Sequence, residues 1–378
     1  MHRVLIAGVS TRAAAESAAK AGFEVTALDA YGDLDQHPSV RSLSLPRDVG
    51  QGFTASAAAS AAREIACDAV AYLSPFENHP RAVKSLTASR VLWGNPPDVL
   101  RLVRDPFLLA GSLRRRGFST PITRVDVTTE ASEWVVKPFH SGGGRGVQRS
   151  RPGTRVPLGC YVQECIDGTS ASIVFVAAAG RSVPLGVSRQ LVGDASFGAS
   201  DYQYCGNVIV SAGDTALTDE VVEAATRLAA HVAETFGLVG LNGIDFIVRD
   251  GVPYPIEVNP RWCSSMELVE RLYGVSVFGM HAAACVGGVM PAFELARARA
   301  ARRALGKAIV FAREDIVMGD TRPWLEDDTI RDVPKRGEHI GAGQPICTVF
   351  AAGANAGECY EALERRAARM YETLIPDP

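Results

Sequence analysis

The stretch Gly243-Ile-Asp-Phe-Ile-Val-Arg-Asp-Gly-Val-Pro-Tyr-Pro-Ile-Glu-Val-Asn-Pro-Arg261 reads as two strands folded back on each other. Apolar residues run through 242–249 and 252–259, and Asp250-Gly251 between them is a hairpin-turn dipeptide. Three oxygen-bearing side chains interrupt the apolar run: Asp245 on the first strand, Glu257 and Asn259 on the second. Glu257 and Asn259 are two apart and face the same side, and Asp245 can reach them from the paired strand. A hard cation such as Mg²⁺ prefers such ligands and can bridge them to phosphate oxygens. A polar ladder on a solvated face is the plainer alternative. It is weakened by the apolar company of the acids, because a buried carboxylate needs a compensating partner. Arg261, two residues on, offers a planar fork to an anionic oxygen.

Upstream, Trp134-Val-Val-Lys-Pro-Phe-His-Ser-Gly-Gly-Gly-Arg-Gly-Val147 joins a short strand to a glycine-rich loop. Gly142, Gly143, Gly144 and Gly146 allow backbone N–H groups to turn toward an anion, and Arg145 adds positive charge. A Walker loop places its lysine after the glycines at the mouth of a helix; here Lys137 precedes them on a strand. His140 beside the loop reads as a solvated side chain. Between loop and hairpin, Tyr161-Val-Gln-Glu-Cys-Ile-Asp-Gly168 reads as a half-buried strand on which Gln163 and Glu164 point to opposite faces.

The whole chain sets limits on what these motifs serve. Its 378 residues allow two or three domains, and 47% hydrophobic with 21% charged residues fits a soluble globular protein. A formal net charge of −3 leaves no basic excess for a nucleic-acid partner. The local run Arg297-Ala-Arg-Ala-Ala-Arg-Arg303 reads as the exposed face of a helix end. The eight cysteines are scattered with no C-x-x-C pair, which suits reduced thiols in a cytosolic protein. The opening MHRVLIAGVS is too short an apolar run for a signal peptide, and the apolar stretch from Met280 to Phe293 is broken by Gly287, Gly288 and Pro291. A cytoplasmic protein without a membrane span is expected.

Residues 3–9, 24–29 and 68–73 read as strands of a parallel sheet. A helix, capped by Ser10 or Thr11 and stopped at Gly22, follows the first strand. Asp29 closes the second strand where a dinucleotide fold places its ribose-binding acid, but GVSTRAAAE carries one glycine where G-x-G-x-x-G is required. The unit therefore reads as a Rossmann-like scaffold without a nicotinamide role. From about Asp98 the pattern changes to a helix through 107–117 and then to short strands in close succession at 133–137, 161–166, 171–179 and 183–190. A strong amphipathic helix begins after Thr218 and ends at Gly237. A strand at 307–312, another at 346–350 and a helix over 356–374 complete the chain.

The lysine strand with its glycine loop, the Tyr161–Gly168 strand and the acid-bearing hairpin occur in the order and spacing of the ATP-grasp superfamily, which this chain resembles over about residues 98–300. The resemblance implies an α/β N-terminal Rossmann-like (pre-ATP-grasp) domain over 1–97, followed by an α+β ATP-grasp fold. That fold would comprise a central subdomain over 98–180, a C-terminal subdomain with the metal site over 181–305, and a C-terminal extension over 306–378 packed on it. It implies ATP as nucleotide, with Mg²⁺ or Mn²⁺ held by Asp245, Glu257 and Asn259. Lys137, Gly142, Gly143, Gly144 and Gly146 would contact phosphate. Gln163 or Glu164, with the backbone around Cys165 and Ile166, would meet the adenine. Ser170 stands where many members carry a ribose-binding glutamate, and Arg104-Asp105-Pro106 stands where many carry a lysine.

The chemistry implied is carboxylate activation: an acyl-phosphate formed at the expense of ATP is attacked by an amine to give an amide. Arg261 would hold phosphate or the acyl-phosphate. Arg189, on the strand Ser188-Arg-Gln190 expected to border the acceptor, can hold a substrate carboxylate, with an ordinary surface arginine as the alternative. Two further readings are a bicarbonate-activating enzyme working through carboxyphosphate and a non-catalytic ATP-binding regulatory protein. The Val-Asn-Pro-Arg form is similar to carbamoyl-phosphate-synthase-like and tyramine–glutamate-ligase-like members. The opening GVSTRAAAESAAKAGFEVTALDAYGD and the tail GQPICTVFAAG resemble members linked to the tetrahydromethanopterin or methanofuran cofactor pathways. Small-molecule carboxylate and amine partners and a homodimer complete the expectation.

Overall fold

The computed structural model describes residues 2–126, 133–150, 155–300 and 303–374. The N-terminal unit is a five-stranded parallel sheet, β1 (Arg3–Ala7), β2 (Glu24–Asp29), β3 (Arg41–Ser44), β4 (Ala69–Tyr72) and β5 (Val91–Trp93), in the order β3-β2-β1-β4-β5. Helices α1 (Arg12–Lys20), α2 (Ala55–Ala61) and α3 (Pro80–Leu86) connect the strands. The central strands are buried on both faces, as a doubly covered parallel sheet requires. Thr11 occupies the N-cap position of α1, but its hydroxyl does not cap the helix; it donates to Asp29 at 2.6 Å. Asp29 also accepts the backbone N–H groups of Thr11, Tyr31 and Gly32, so both its oxygens serve its own loop.

Two short helices, α4 (Pro97–Val103) and α5 (Pro106–Arg115), lead out of this unit. Asp105 caps α5 by accepting from Phe107 N at 2.8 Å and Leu108 N at 3.0 Å, and Pro106 takes the first-turn position where no N–H is needed. The break leaves Arg104 at the corner between the helices. A four-stranded antiparallel sheet follows in the order β6-β9-β7-β8: β6 (Thr123–Arg124), β7 (Trp134–Pro138), β8 (Gln148–Ser150) and β9 (Cys160–Glu164). Its apolar core is small, with Trp134, Val136 and Val162 at its centre.

Chain folding then turns to one large sheet. It contains β10 (Thr169–Ala178), β11 (Arg181–Val192), β12 (Tyr204–Ile209), β13 (Gly240–Arg249), β14 (Val252–Asn259) and β15 (Ala304–Phe311). A short pair, β16 (Ile316–Val317) with β18 (His339–Ile340), lies apart from it, while β17 (Ile330–Arg331) and β19 (Pro345–Gly353) extend it. The eight strands run in the order β14-β13-β10-β11-β12-β15-β19-β17. Helix α6 (Asp219–Phe236) covers one face through Val221, Ala225, Leu228, Ala229 and Val232; Thr218 caps its start, and Gly237, in the left-handed region, ends it. Helices α7 (Met266–Tyr273) and α8 (Val277–Gly287) lie between the sheet and the N-terminal unit, α9 (Leu295–Arg299) follows, and α10 (Ala356–Leu374) packs on β15 and β19.

The sheets correct two expected boundaries. A break at 180 would cut β10 from β11 and β13, its hydrogen-bonded neighbours; the two sheets separate instead near Gly168. The segment expected over 306–378 as an extension packed on this fold does pack on it through α10, but β19 and most of β15 also continue the sheet that carries the hairpin. Among the described residues no helix is long and apolar enough to cross a membrane.

One ionic cluster joins the N-terminal unit to the body. Arg12, 1% exposed, contacts Asp332 at 2.7 Å, Glu267 at 2.8 Å, Glu16 at 3.1 Å and Asp35 at 3.5 Å. Lys307 reaches the other oxygen of Glu267 at 2.9 Å.

Candidate active site

A cavity of about 360 Å³ opens between the small sheet and the large one. Lys137 and Tyr161 line it from β7 and β9; Ser172, Gln190, Tyr204, Asp245 and Glu257 line it from β10, β11, β12, β13 and β14. The hairpin forms as its turn dictates: Asp250 and Gly251 take φ of +53° and +73°, and the strands pair Asp245 with Glu257 and Gly243 with Asn259. A register shift after Asp245 keeps this pairing at the cavity, and Pro253 and Pro255 are tolerated because β14 is an edge strand.

The acids are crowded. Burial and then the facing Glu257 push the Asp245 carboxyl up to about 7. Asn259 Nδ2 donates to Asp245 at 2.8 Å, and Gln190 Nε2 donates to its other oxygen at 2.9 Å. Glu257 lies 3.6 Å from Arg104. Asp245, Glu257 and Asn259 line one cavity, an oxygen-bearing set that fits an oxygen-preferring dication, whose charge would offset the burial and the Glu257 repulsion that raise Asp245. Lys137 stands across from them; burial lowers its pKa while Glu257 and Asp245 pull it back up. Its ammonium donates to Gln163 Oε1 at 2.7 Å.

A continuous hydrogen-bonded chain crosses the floor of the site. Ser170 donates to Gln190, which donates to Asp245; Asn259 also donates to Asp245, and Arg261 donates to Asn259 at 3.1 Å. Arg261 Nε ends the chain on Glu77 at 2.7 Å, a fully buried carboxylate from the N-terminal unit. Burial acts against the ionised Glu77, but Arg261 and Arg104 outweigh it and hold its pKa below the usual range.

The glycine loop lies down on the segment before β12. Gly143 O accepts from Tyr204 N at 3.1 Å, and Gly144, at φ +76°, sits so close that a Cβ there would fall 1.7 Å from Tyr202 O. No other residue fits that contact. Gly143 and Gly144 line the cavity, whereas Gly142 lies near Ser74 and Glu77, and Gly146 turns against the Pro138 ring.

Of the predicted site residues, Lys137, Gly143, Gly144, Gln163, Glu164, Cys165, Ile166, Ser170, Asp245, Glu257, Asn259 and Arg261 all line this cavity. Gln163 is buried against Lys137 and Thr123, while the half-buried Glu164 carboxylate accepts from Ile122 N at 3.0 Å. The Cys165 backbone N–H donates to Glu133 O at 2.9 Å, so it is engaged within the small sheet. Arg189 is the correction. It points away from the cavity and closes a bidentate pair with Asp214, both oxygens at 2.7 Å. Strand alternation is the reason, since its neighbours Ser188 and Gln190 take the cavity side. Sequence reasoning passed over Ser172, Asn207 and Glu77, while Tyr204, on a strand expected to border the acceptor, does line the cavity. The Ser188-Arg-Gln190 motif did contain the right residue, one position from the one chosen.

A family model described as the ATP-grasp domain matches residues 103–265. Over 373 residues the chain is 24% identical to an uncharacterized protein of Methanocaldococcus jannaschii, covering 92% of this chain and 88% of that protein. It is 26% identical over 169 residues to the carbamoyl phosphate synthase large chain of Neisseria meningitidis, covering 41% of this chain and 15% of that one. In fold it is similar to an L-amino acid ligase from Bacillus licheniformis, with a TM-score of 0.69, 17% identity, and 98% and 97% of the two chains covered. It is also similar to biotin carboxylase from Campylobacter jejuni, with a TM-score of 0.73, 12% identity, and 100% and 96% covered.

Proposed function

We propose, from the premise that residues 103–265 are an ATP-grasp domain, that this protein is an ATP-dependent carboxylate–amine ligase. The observation that carries the proposal is the Asp245–Glu257 pair facing Lys137 across one cavity. Asp245, Glu257 and Asn259 would hold Mg²⁺, which would supply positive charge to offset that of the phosphate groups. Lys137 and Arg104 bring positive charge to the same place, so charge moving toward the β–γ bridge of ATP meets fixed cations. Three of the five N–H groups of Arg261 are engaged by Glu77, Trp262 O and Asn259, and the other two would serve a substrate carboxylate or its phosphate.

The balance of the reaction is simple. A carboxylate oxygen attacks the terminal phosphorus, the bond to the bridging oxygen breaks, and ADP leaves. The amine then attacks the acyl carbon, loses a proton, and expels inorganic phosphate. The protein's part is to position and to exclude water, the latter through the glycine loop lying on Tyr202. Beyond the acids the cavity is lined by hydroxyls and amides, among them Ser172, Gln190, Tyr204, Asn207 and Ser264. A glutamate or similar amino acid added to a C1-carrier cofactor precursor is the first substrate pair to test; a cytoplasmic homodimer belongs to the same proposal.

The test is ADP release from Mg-ATP with amino acids, cofactor precursors or bicarbonate. Amine- and carboxylate-dependent release supports ligation. Release dependent on bicarbonate alone replaces it with carboxyphosphate chemistry, and ATP binding without turnover replaces it with a regulatory role.

A further inference from the structure

We propose that Asn78 is a positioning residue of the nucleotide site: from the N-terminal unit it orients Arg104 and fastens the glycine loop at Ser141. The inference rests on the reading of the cavity as a nucleotide site. Asn78 ends a one-turn helix, Phe76–Asn78, that follows β4, and it is 7% exposed. It does not line the cavity, so any effect on bound nucleotide must pass through another side chain.

The two ends of its amide do different work. Oδ1 accepts from Arg104 Nε at 3.2 Å and from a terminal guanidinium nitrogen at 2.9 Å, while Nδ2 donates to Ser141 O at 3.2 Å. The same Ser141 carbonyl accepts from Arg104 at 3.0 Å, which closes a triangle. The other terminal nitrogen of Arg104 donates to Val258 O at 2.8 Å and approaches Glu257. The N-terminal unit, the glycine loop and the acid-bearing hairpin therefore meet on one guanidinium.

Only an amide suits this position, because the triangle needs an acceptor for Arg104 and a donor for a carbonyl on one short side chain. Arg104 has long, rotatable stems, and a guanidinium without its partners samples many directions; fixing it in advance removes that ordering cost from nucleotide binding. Besides the triangle, the loop is held by Gly143 O on Tyr204 N and by the close seat of Gly144 on Tyr202.

The test uses the full chain with Asn78→Ala, Asn78→Asp, Arg104→Ala and the Asn78→Ala/Arg104→Ala double variant. Without ligand, trypsin cleavage after Arg145, exposed within the loop, is followed by mass spectrometry. Cleavage reports how often the loop opens, and several-fold faster cleavage is expected in both Asn78 variants. Mg-ATP affinity is then measured by calorimetry. Asn78→Ala and Arg104→Ala are each expected to weaken it roughly tenfold. The double variant should be no weaker than Arg104→Ala, and Asn78→Asp, which keeps the acceptor, should stay near the wild type. If the alanine variant does not fold, Asn78→Asp carries the cleavage test. Wild-type cleavage rates in the Asn78 variants, or fully additive losses in the double variant, overturn the role given to Asn78. A wild-type protein that binds no Mg-ATP overturns the nucleotide reading itself, and this proposal with it.

Discussion

Charges gather around Arg12, where the N-terminal unit meets the body, and around Asp245, in the cavity between the small and large sheets, and the two gatherings are balanced differently. Arg12 lies among four carboxylates, and Lys307 and Arg271 share one of them, Glu267. Burial alone would raise Glu267, but Arg12, Lys307 and Arg271 outweigh it and hold its pKa far below the usual carboxylate range. At Asp245 the strongest neighbour is another carboxylate, and the pKa moves up instead. Where the protein supplies its own counter-charges, the cluster ties elements together. Where carboxylates face each other over a cavity, burial and their mutual repulsion raise a pKa, and the site is one where a bound cation would add the compensating charge.

The contrast can be broken most directly at its structural end. Arg12→Met should lower stability by about 3–5 kcal/mol, because it strands carboxylates that are desolvated in the fold; denaturant unfolding measures it, and a loss under about 1 kcal/mol would show the cluster to be solvated. At the other end, Asp245→Asn and Glu257→Gln should each reduce Mg-ATP turnover by about 10²-fold or more. They should leave the unfolding midpoint unchanged or raised, since a like-charge contact is removed. A fall in stability comparable to that of Arg12→Met would erase the difference between the regions.

His281 supplies a smaller and separable test. It is buried on α8, its Nδ1 accepts from Leu241 N at 3.0 Å, and burial lowers its pKa from 6.5 to about 4. Because the unfolded chain binds the proton more readily, the contribution of neutral His281 is complete above pH 6.5 and is lost as pH falls toward and through 4. At about 1.4 kcal/mol per pH unit the loss amounts to at most about 3.5 kcal/mol. His281→Asn, which keeps an acceptor and cannot titrate, should flatten stability between those pH values; an unchanged slope would assign the pH dependence to other groups.

Small size is a further difference between the regions. The small sheet that carries Lys137 and the glycine loop has a core centred on three side chains, while the large sheet beneath it is packed by α6 and α10 across its length.

Local chemistry made the hairpin and the glycine loop legible, and the family resemblance added the Tyr161–Gly168 strand and Ser170 that line part of the cavity. Turn type follows from Asp250-Gly251, and the two-residue repeat puts Glu257 and Asn259 on one face whatever surrounds them. The same repeat linked Ser188 with Gln190 but could not say whether they or Arg189 faced the cavity, because that depends on which sheet face the small sheet covers. The boundary expected at 180 failed for a related reason: β10 follows the small sheet in the chain but hydrogen-bonds to β11 and β13.

What the sequence determined by itself is therefore short-range: strand alternation, turn geometry, helix ends, and the residue types able to hold a dication and phosphate. Tertiary structure alone decided which partners complete them. Glu77 meets Arg261 across 184 residues and Asn78 meets Arg104 across 26, separations at which no spacing rule operates. Contacts of that kind form because burying the N-terminal unit against the body leaves each guanidinium in need of an acceptor, and only the assembled fold brings one within reach.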